Sequence, residues 1–294
     1  MDSSQPGADF MKTVLVTGAN GLLGGAVLPL LAADHQVIAL ARTPLAPARN
    51  IRSLAVDLSR PLDPSLLPER IDTVLYLAQS SQFRDFPGGA ADVRQLNVDQ
   101  PLALIEEARA RGATNFVYAS SGSVYAPADT PLDESCPTAA EGFYAASKLA
   151  AELRLRPFGA IMSVTSLRFF FIYGRRQKRD MLLPRLVESV RNHRSVSLQG
   201  QDGLHFNPIH VDDAARATIA AQELDGAHTI NVAGPETVSI RQVCELAGEA
   251  MGESPRFSVD SESRSPLLVA DVRRMEALLG PAKVRFKDAI SELL

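Results

Sequence analysis

Cysteine is scarce in this chain. The two present, Cys136 and Cys244, lie far apart and in no metal-ligand spacing. That excludes a disulfide-stapled scaffold and a cysteine zinc site, and both residues read as free thiols in a reducing, cytoplasmic compartment. An excess of either charge is lacking too. The 30 Lys and Arg against 34 Asp and Glu leave a net charge of -4, which gives no footprint for nucleic acid. Long apolar runs are missing: the stretch 27–33 falls far short of the roughly 20 residues that span a bilayer. The first ten residues are polar, carry Pro6 and Gly7, and contain no apolar core. They read as a disordered extension and not as a secretory leader. No internal repeat is present, and no His, Cys or carboxylate group has the spacing of a metal site.

What is present is ordinary for a globular protein: 46% apolar and 22% charged residues over 294 positions. That length holds one large domain or two interlocked ones with ample core. Residues 12–17 form a short β-rich apolar run that breaks into Gly18-Ala19-Asn20-Gly21-Leu22-Leu23-Gly24, and a helical pattern follows through Leu31. Glycines in that place permit a tight turn and a close approach of backbone to a pyrophosphate, while the helix start offers free N–H groups to the anion. A second strand, 36–42, ends in Ala41 and Arg42, where an acidic residue would hold an adenosine ribose. Arginine there suits a 2′-phosphate or is a solvated surface charge.

Further strands are expected at 53–56, before Asp57 and Leu58, at 73–77, before Ala78 and Gln79, at 115–119 and at 164–171. A loop with Phe83 and Phe86 spans 80–89, and 92–111 reads as one long helix containing Asn97. Strands alternating with helices of these lengths argue a parallel, doubly wound α/β sheet.

Tyr144 and Lys148 stand four apart on a predicted helix, so they share a face. An ammonium beside a phenol favours the phenolate and draws its pKa from near 10 toward neutrality. Such a tyrosine passes protons to or from a substrate oxygen. The serines at 120, 121 and 123, at the end of the fifth strand, are placed to hold that oxygen.

In this order and spacing the motifs resemble those of the extended short-chain dehydrogenases/reductases, the NAD(P)-dependent sugar-nucleotide epimerase/dehydratase family. Residues 17–24 match its TGxxGxxG, 75–78 resemble its VxHLAA, 97–98 its NVxG and 120–125 its SSxxVYG. Residues 144–148 match YxxSK, 167–174 LRxFNxYG and 209–213 IHVxD. The resemblance implies a Rossmann-type sheet, over 11–172 and about 206–232, with a smaller C-terminal substrate-binding domain over about 173–205 and 233–294. It implies Ser121, Tyr144 and Lys148 as the catalytic group. It implies a dinucleotide held by Gly18, Asn20, Gly21, Leu22, Leu23, Gly24, Arg42, Asp57, Leu58, Leu77, Ala78, Gln79, Asn97 and Phe171, together with Tyr144 and Lys148. Ser123, Arg175, Arg176 and Arg264 are its substrate candidates.

The implied chemistry is hydride transfer between NADP, or alternatively NAD, and a keto or hydroxy group of a nucleotide-activated sugar. A redox-neutral epimerase with tightly bound NAD, or a non-catalytic NADP-binding regulator, are the other readings. The implied partners are a small-molecule substrate and a second copy in a homodimer, with no membrane and no nucleic acid. The chain also departs from the pattern. Phe171 stands where the family's pyrophosphate-binding asparagine lies, and Phe206 or His205 where an arginine is common. Gly122-Ser123 replaces the Asp-Glu pair of the 4,6-dehydratases. These departures argue against dehydration and for a weaker grip on a substrate diphosphate.

Overall fold

The structure, a computed structural model, describes residues 11–294; the expected disordered extension lies outside the described residues. Strands β1 (Thr13–Thr17), β2 (Gln36–Ala41), β3 (Ile51–Ala55), β4 (Thr73–Tyr76), β5 (Asn115–Ser121) and β6 (Ser163–Phe169) appear close to their expected places. They are followed by β7 (Ile172–Tyr173), β8 (Ser195–Gln199), β9 (His205–Phe206), β10 (Ile209–His210), β11 (Ala227–Val232), β12 (Val238–Ser239), β13 (Arg256–Asp260) and β14 (Leu267–Leu268). Helices α1 (Leu22–Leu31), α2 (Ala90–Arg94), α3 (Gln100–Ala110), α4 (Gly142–Leu155) and α6 (Val211–Ala221) pack with the large sheet. Helices α5 (Leu182–Arg191), α7 (Ile240–Met251), α8 (Arg273–Leu279) and α9 (Phe286–Ala289) complete the chain.

The seven-stranded sheet is parallel throughout, in the order β11-β6-β5-β4-β1-β2-β3. The chain runs outward from β1 to β3, then restarts at β4 on the other side of β1. The crevice between β1 and β4 is therefore the switch point, where such sheets take ligands at their carboxyl ends. Side-chain alternation divides the core. Val14, Val16, Ala39, Leu75 and Val117 face α1 and α6, while Leu15, Leu40, Tyr76, Phe116 and Tyr118 face α3 and α4. A third apolar cluster joins Tyr173, Phe206, α5, α7 and Phe286. Helix α7 opens with a capping box, Ser239 and Gln242 each bonding the other's backbone N–H.

The stretch expected as one helix over 92–111 is interrupted. Residues Gln95–Asp99 form a π-helical turn between α2 and α3, closed by the Gln100 N–H donating to the Gln95 carbonyl. Pro101 supplies the reason. It has no N–H to give the Asn97 carbonyl four residues back, and that carbonyl accepts instead from the Tyr118 hydroxyl at 2.9 Å.

Candidate active site

The glycine turn sits at the end of β1 and is shaped by contact. Gly18 has φ +67°, and a Cβ on it would lie 2.8 Å from the Ala78 nitrogen. A Cβ on Gly24 would collide with the Gly18 carbonyl. Helix α1 begins at Leu22 after Gly21 with no side-chain cap and no acidic residue in its first turn, so its leading N–H groups point out of the turn unclaimed by side chains. The Thr17 hydroxyl oxygen accepts from the Leu77 and Ala78 N–H groups, both at 3.0 Å, which clamps β4 against the turn. Asn20 donates to the Thr43 carbonyl at 2.7 Å and ties the turn to the end of β2. Arg42 is exposed just beyond that strand, and Asp57 and the buried Leu58 follow β3. The Asp57 carboxyl is held below its usual range by the Ser59 hydroxyl and N–H, with smaller help from the Arg60 and Arg42 charges.

Strand β5 extends two residues beyond its expected end, so Ser120 and Ser121 belong to the strand itself. Ser120 is buried and donates to Glu152 of α4. The Ser121 and Ser123 hydroxyls lie 2.9 Å apart at the strand's mouth. From α4, Tyr144 and Lys148 reach the same place. Lys148 is almost wholly buried and donates to the Ala119 carbonyl at 2.7 Å. Ser147 donates to the Tyr144 carbonyl at 2.7 Å and accepts from the Asn97 side chain at 3.0 Å. Asn97 Oδ1 is buried without a protein partner among the described residues.

The tyrosine's electrostatics correct the expectation from its lysine neighbour. Burial pushes the Tyr144 phenol up to about 12, the Ser121 hydroxyl opposing. The lysine does not prevent this. Burial drops Lys148 to about 7, with Glu152 opposing, and its ammonium sits 6.0 Å from the Tyr144 ring centre while bonded to Ala119. As arranged here, the phenol keeps its proton and donates it to Gln79.

Ser121, Ser123, Tyr144, Lys148, Asn97 and Gln79 therefore come together at the ends of β4 and β5, beside the glycine turn. Gln79 does so through its side chain, which accepts from the Tyr144 hydroxyl at 3.1 Å. Phe83 packs on the Tyr144 ring with centroids 5.2 Å apart, and Phe86 on Phe143 at 5.4 Å. Phe171, in a left-handed conformation at φ +48°, packs against the buried Phe206 with centroids 4.6 Å apart and the rings tilted by 49°.

The remaining candidates are elsewhere engaged or exposed. Arg175 gives its backbone N–H to Glu292 while its side chain is exposed, and Arg176 is exposed at φ +76°. Arg264 is exposed on the turn before β14. Arg191 of α5 bonds Glu188 and the Leu294 carbonyl. His210 is a buried, hydrogen-bonded histidine held between the Asp212 N–H and Glu292. Among the described residues no cluster of ligating side chains is placed for a metal, and no helix is long and apolar enough to cross a membrane.

Sequence reasoning missed one buried pair. Arg168 forks onto Glu152 with N–O distances of 2.6 to 3.2 Å, and its guanidinium lies 4.6 Å from the Tyr125 ring centre. Its signal was present: Glu152 follows Lys148 by one helical turn. An open hollow of about 670 Å³ between residues 133–135, Arg156 and 271–274 lies away from this site.

Comparison with known proteins agrees with this geometry. A 29% identical structure, MoeE5 in complex with UDP-glucose and NAD, superposes with a TM-score of 0.81 over 96% of this chain and 97% of its own. UDP-glucose 4-epimerase of Thermus thermophilus, solved with NAD, is 25% identical with a TM-score of 0.77, over 95% and 96% of the two chains. UDP-glucose 4-epimerase of Corynebacterium glutamicum is 26% identical over 81% of this chain and 80% of its own. The sequence profile of the NAD dependent epimerase/dehydratase family matches residues 14–233. The chain belongs to that family and is an enzyme of the extended short-chain dehydrogenase/reductase type.

Proposed function

We propose that the protein transfers hydride between a nicotinamide dinucleotide and a secondary alcohol or ketone of a nucleotide-activated sugar. The observation that carries this reading is the convergence of Ser121, Tyr144 and Lys148 from β5 and α4 beside the glycine turn. The residues fit a dinucleotide. Gly18 and Gly24 leave a cradle that side chains would fill, and the uncapped start of α1 presents N–H groups to a pyrophosphate. Leu22, Leu23, Asp57, Leu58 and Ala78 would flank the adenosine, and Lys148 with Asn97 the nicotinamide side. The bound nicotinamide supplies the hydride chemistry. Tyr144 donates the proton to the substrate oxygen, and the Ser121 hydroxyl orients that oxygen. Lys148 holds Tyr144 in place through the helix and offers its remaining hydrogens to a ribose.

Arg42, with no carboxylate at Ala41, supports NADP as the cofactor. The second reading, a redox-neutral epimerase with retained NAD, draws support from MoeE5 and its UDP-glucose and NAD. The paired rings of Phe171 and Phe206 support a looser hold on the substrate diphosphate. Half-buried Leu149 and the 60% exposed Leu153 on α4 support a homodimer through that helix. Residues 173–205 and 233–294 are proposed as the unit that covers the substrate, as their common apolar cluster supports.

Native mass measurement of the purified protein tests the reading. Retained NAD points to the epimerase, and NADP that exchanges freely points to the reductase. Failure to bind either dinucleotide would sink both.

A further inference from the structure

The Tyr144 hydroxyl donates to Gln79 Oε1 at 3.1 Å. Gln79 stands on a stiff root. On one side Leu77 and Ala78 are bonded to Thr17, and on the other Ser80 is bonded to Asp92 and accepts from the Gln82 N–H at 3.0 Å. The same loop braces the phenol ring through Phe83. Arg84 lies 4.7 Å over Phe83 and donates to the Asp180 carbonyl at 2.9 Å. Yet the Gln79 side chain is exposed, and its Nε2 has no hydrogen-bond partner among the described residues.

A phenol has one hydrogen to give. A substrate oxygen that accepts the Tyr144 proton must take that hydrogen bond from Gln79. Where the substrate covers the amide and excludes water from it, the carbonyl lacks a donor and the N–H an acceptor, which is a costly state. A hydroxyl both donates and accepts, so one on the carbon next to the reacting carbon satisfies the amide. We infer that Gln79 is a specificity-determining residue: it aims the Tyr144 hydroxyl as a donor and selects a ketone or alcohol that carries a hydroxyl on the adjoining carbon. This rests on Tyr144 being the proton donor. A ribose hydroxyl of the cofactor offers the same chemistry, and the test separates the two.

The deciding measurement needs no turnover. In full-length protein carrying 13Cζ-tyrosine, the signal lost in Tyr144→Phe is Tyr144. Gln79→Ala removes an acceptor of the neutral phenol, so the Tyr144 midpoint should fall by about half a pH unit or more. Gln79→Glu, which only accepts and adds a negative charge, should raise it by a similar amount. A midpoint unmoved in both variants overturns the inference. KM of Gln79→Ala for UDP-glucose or UDP-glucuronic acid, as probes, should rise about ten-fold or more, well beyond any loss of NAD or NADP affinity. A loss of dinucleotide affinity that matches the rise in KM would assign the amide to the ribose and overturn the substrate role. Activity surviving in Tyr144→Phe would instead refute the proton-donor reading.

Discussion

Lys148 donates to the carbonyl oxygen of Ala119 at 2.7 Å, and so pins helix α4 to the strand that ends in Ser121. The bond fixes the spacing between the elements that carry Tyr144 and Ser121. It also spends part of the lysine's charge on the backbone, which fits a neutral Tyr144 phenol.

Replacing Tyr144 by phenylalanine should lower turnover by at least 100-fold, within the 10² to 10⁴ typical of a lost general acid. Cofactor affinity should stay nearly intact, because phosphate contacts and not the hydroxyl hold the dinucleotide. Steady-state kinetics with calorimetric cofactor titration checks both. Retention of more than about a tenth of the activity would exclude Tyr144 as the donor.

Lys148→Met should damage activity and cofactor binding together, and it should change how stability responds to pH. The lysine's folded-state pKa, about 7, lies below its ordinary 10.5. Between those values the unfolded chain holds the extra proton, so wild-type stability rises with pH through this window. That gain is lost as pH falls through about 7. Urea midpoints from pH 6 to 10 should show wild type gaining on the methionine variant as pH rises, and parallel curves would count against it.

Breaking the pair of Glu152 and Arg168 by Arg168→Leu should cost about 3–5 kcal/mol, because it strands a buried carboxylate. Replacing both residues with apolar ones of similar volume should cost less. Denaturant unfolding of the three variants checks the order, and equal losses would mean the pair carries no special penalty.

The expected preference for NADP over NAD is roughly ten-fold, about 1.4 kcal/mol from an exposed charge-assisted contact. Arg42→Ala should remove most of it and spare NAD, and added salt should shrink it in the wild type. Equal affinities, or a preference untouched by the mutation, would leave Arg42 a surface charge and favour the NAD-bound epimerase.

Phe171 and Phe206 should leave binding of UDP, GDP and dTDP to the cofactor-loaded protein weak. Tight binding of one of them that survives removal of the Arg175 and Arg176 side chains would refute this.

The sheet and the glycine turn were legible because their signals are local: apolar strands, glycines between strand and helix, and tyrosine and lysine one turn apart. What escaped depends on contacts across the chain. Tyr144's rise to about 12 follows from burial, which no four-residue spacing reveals. The strand β13 was missed because its partner is β8, some 60 residues earlier, and it carries little apolar pattern of its own. The π-helical turn did leave a trace, since Pro101 inside a predicted helix is a missing donor, but only Tyr118 shows where the freed carbonyl goes.

That turn sets the phase between α2 and α3. A helix advances about 100° per residue, so winding the same residues as an even α-helix would swing α2 around its axis. Val93 would leave the core, and Asp92 would leave Ser80, the outer anchor of the Gln79 loop. The wide turn works as a phase shifter, letting one helical rod present Asn97 to α4 and Asp92 to the Gln79 loop.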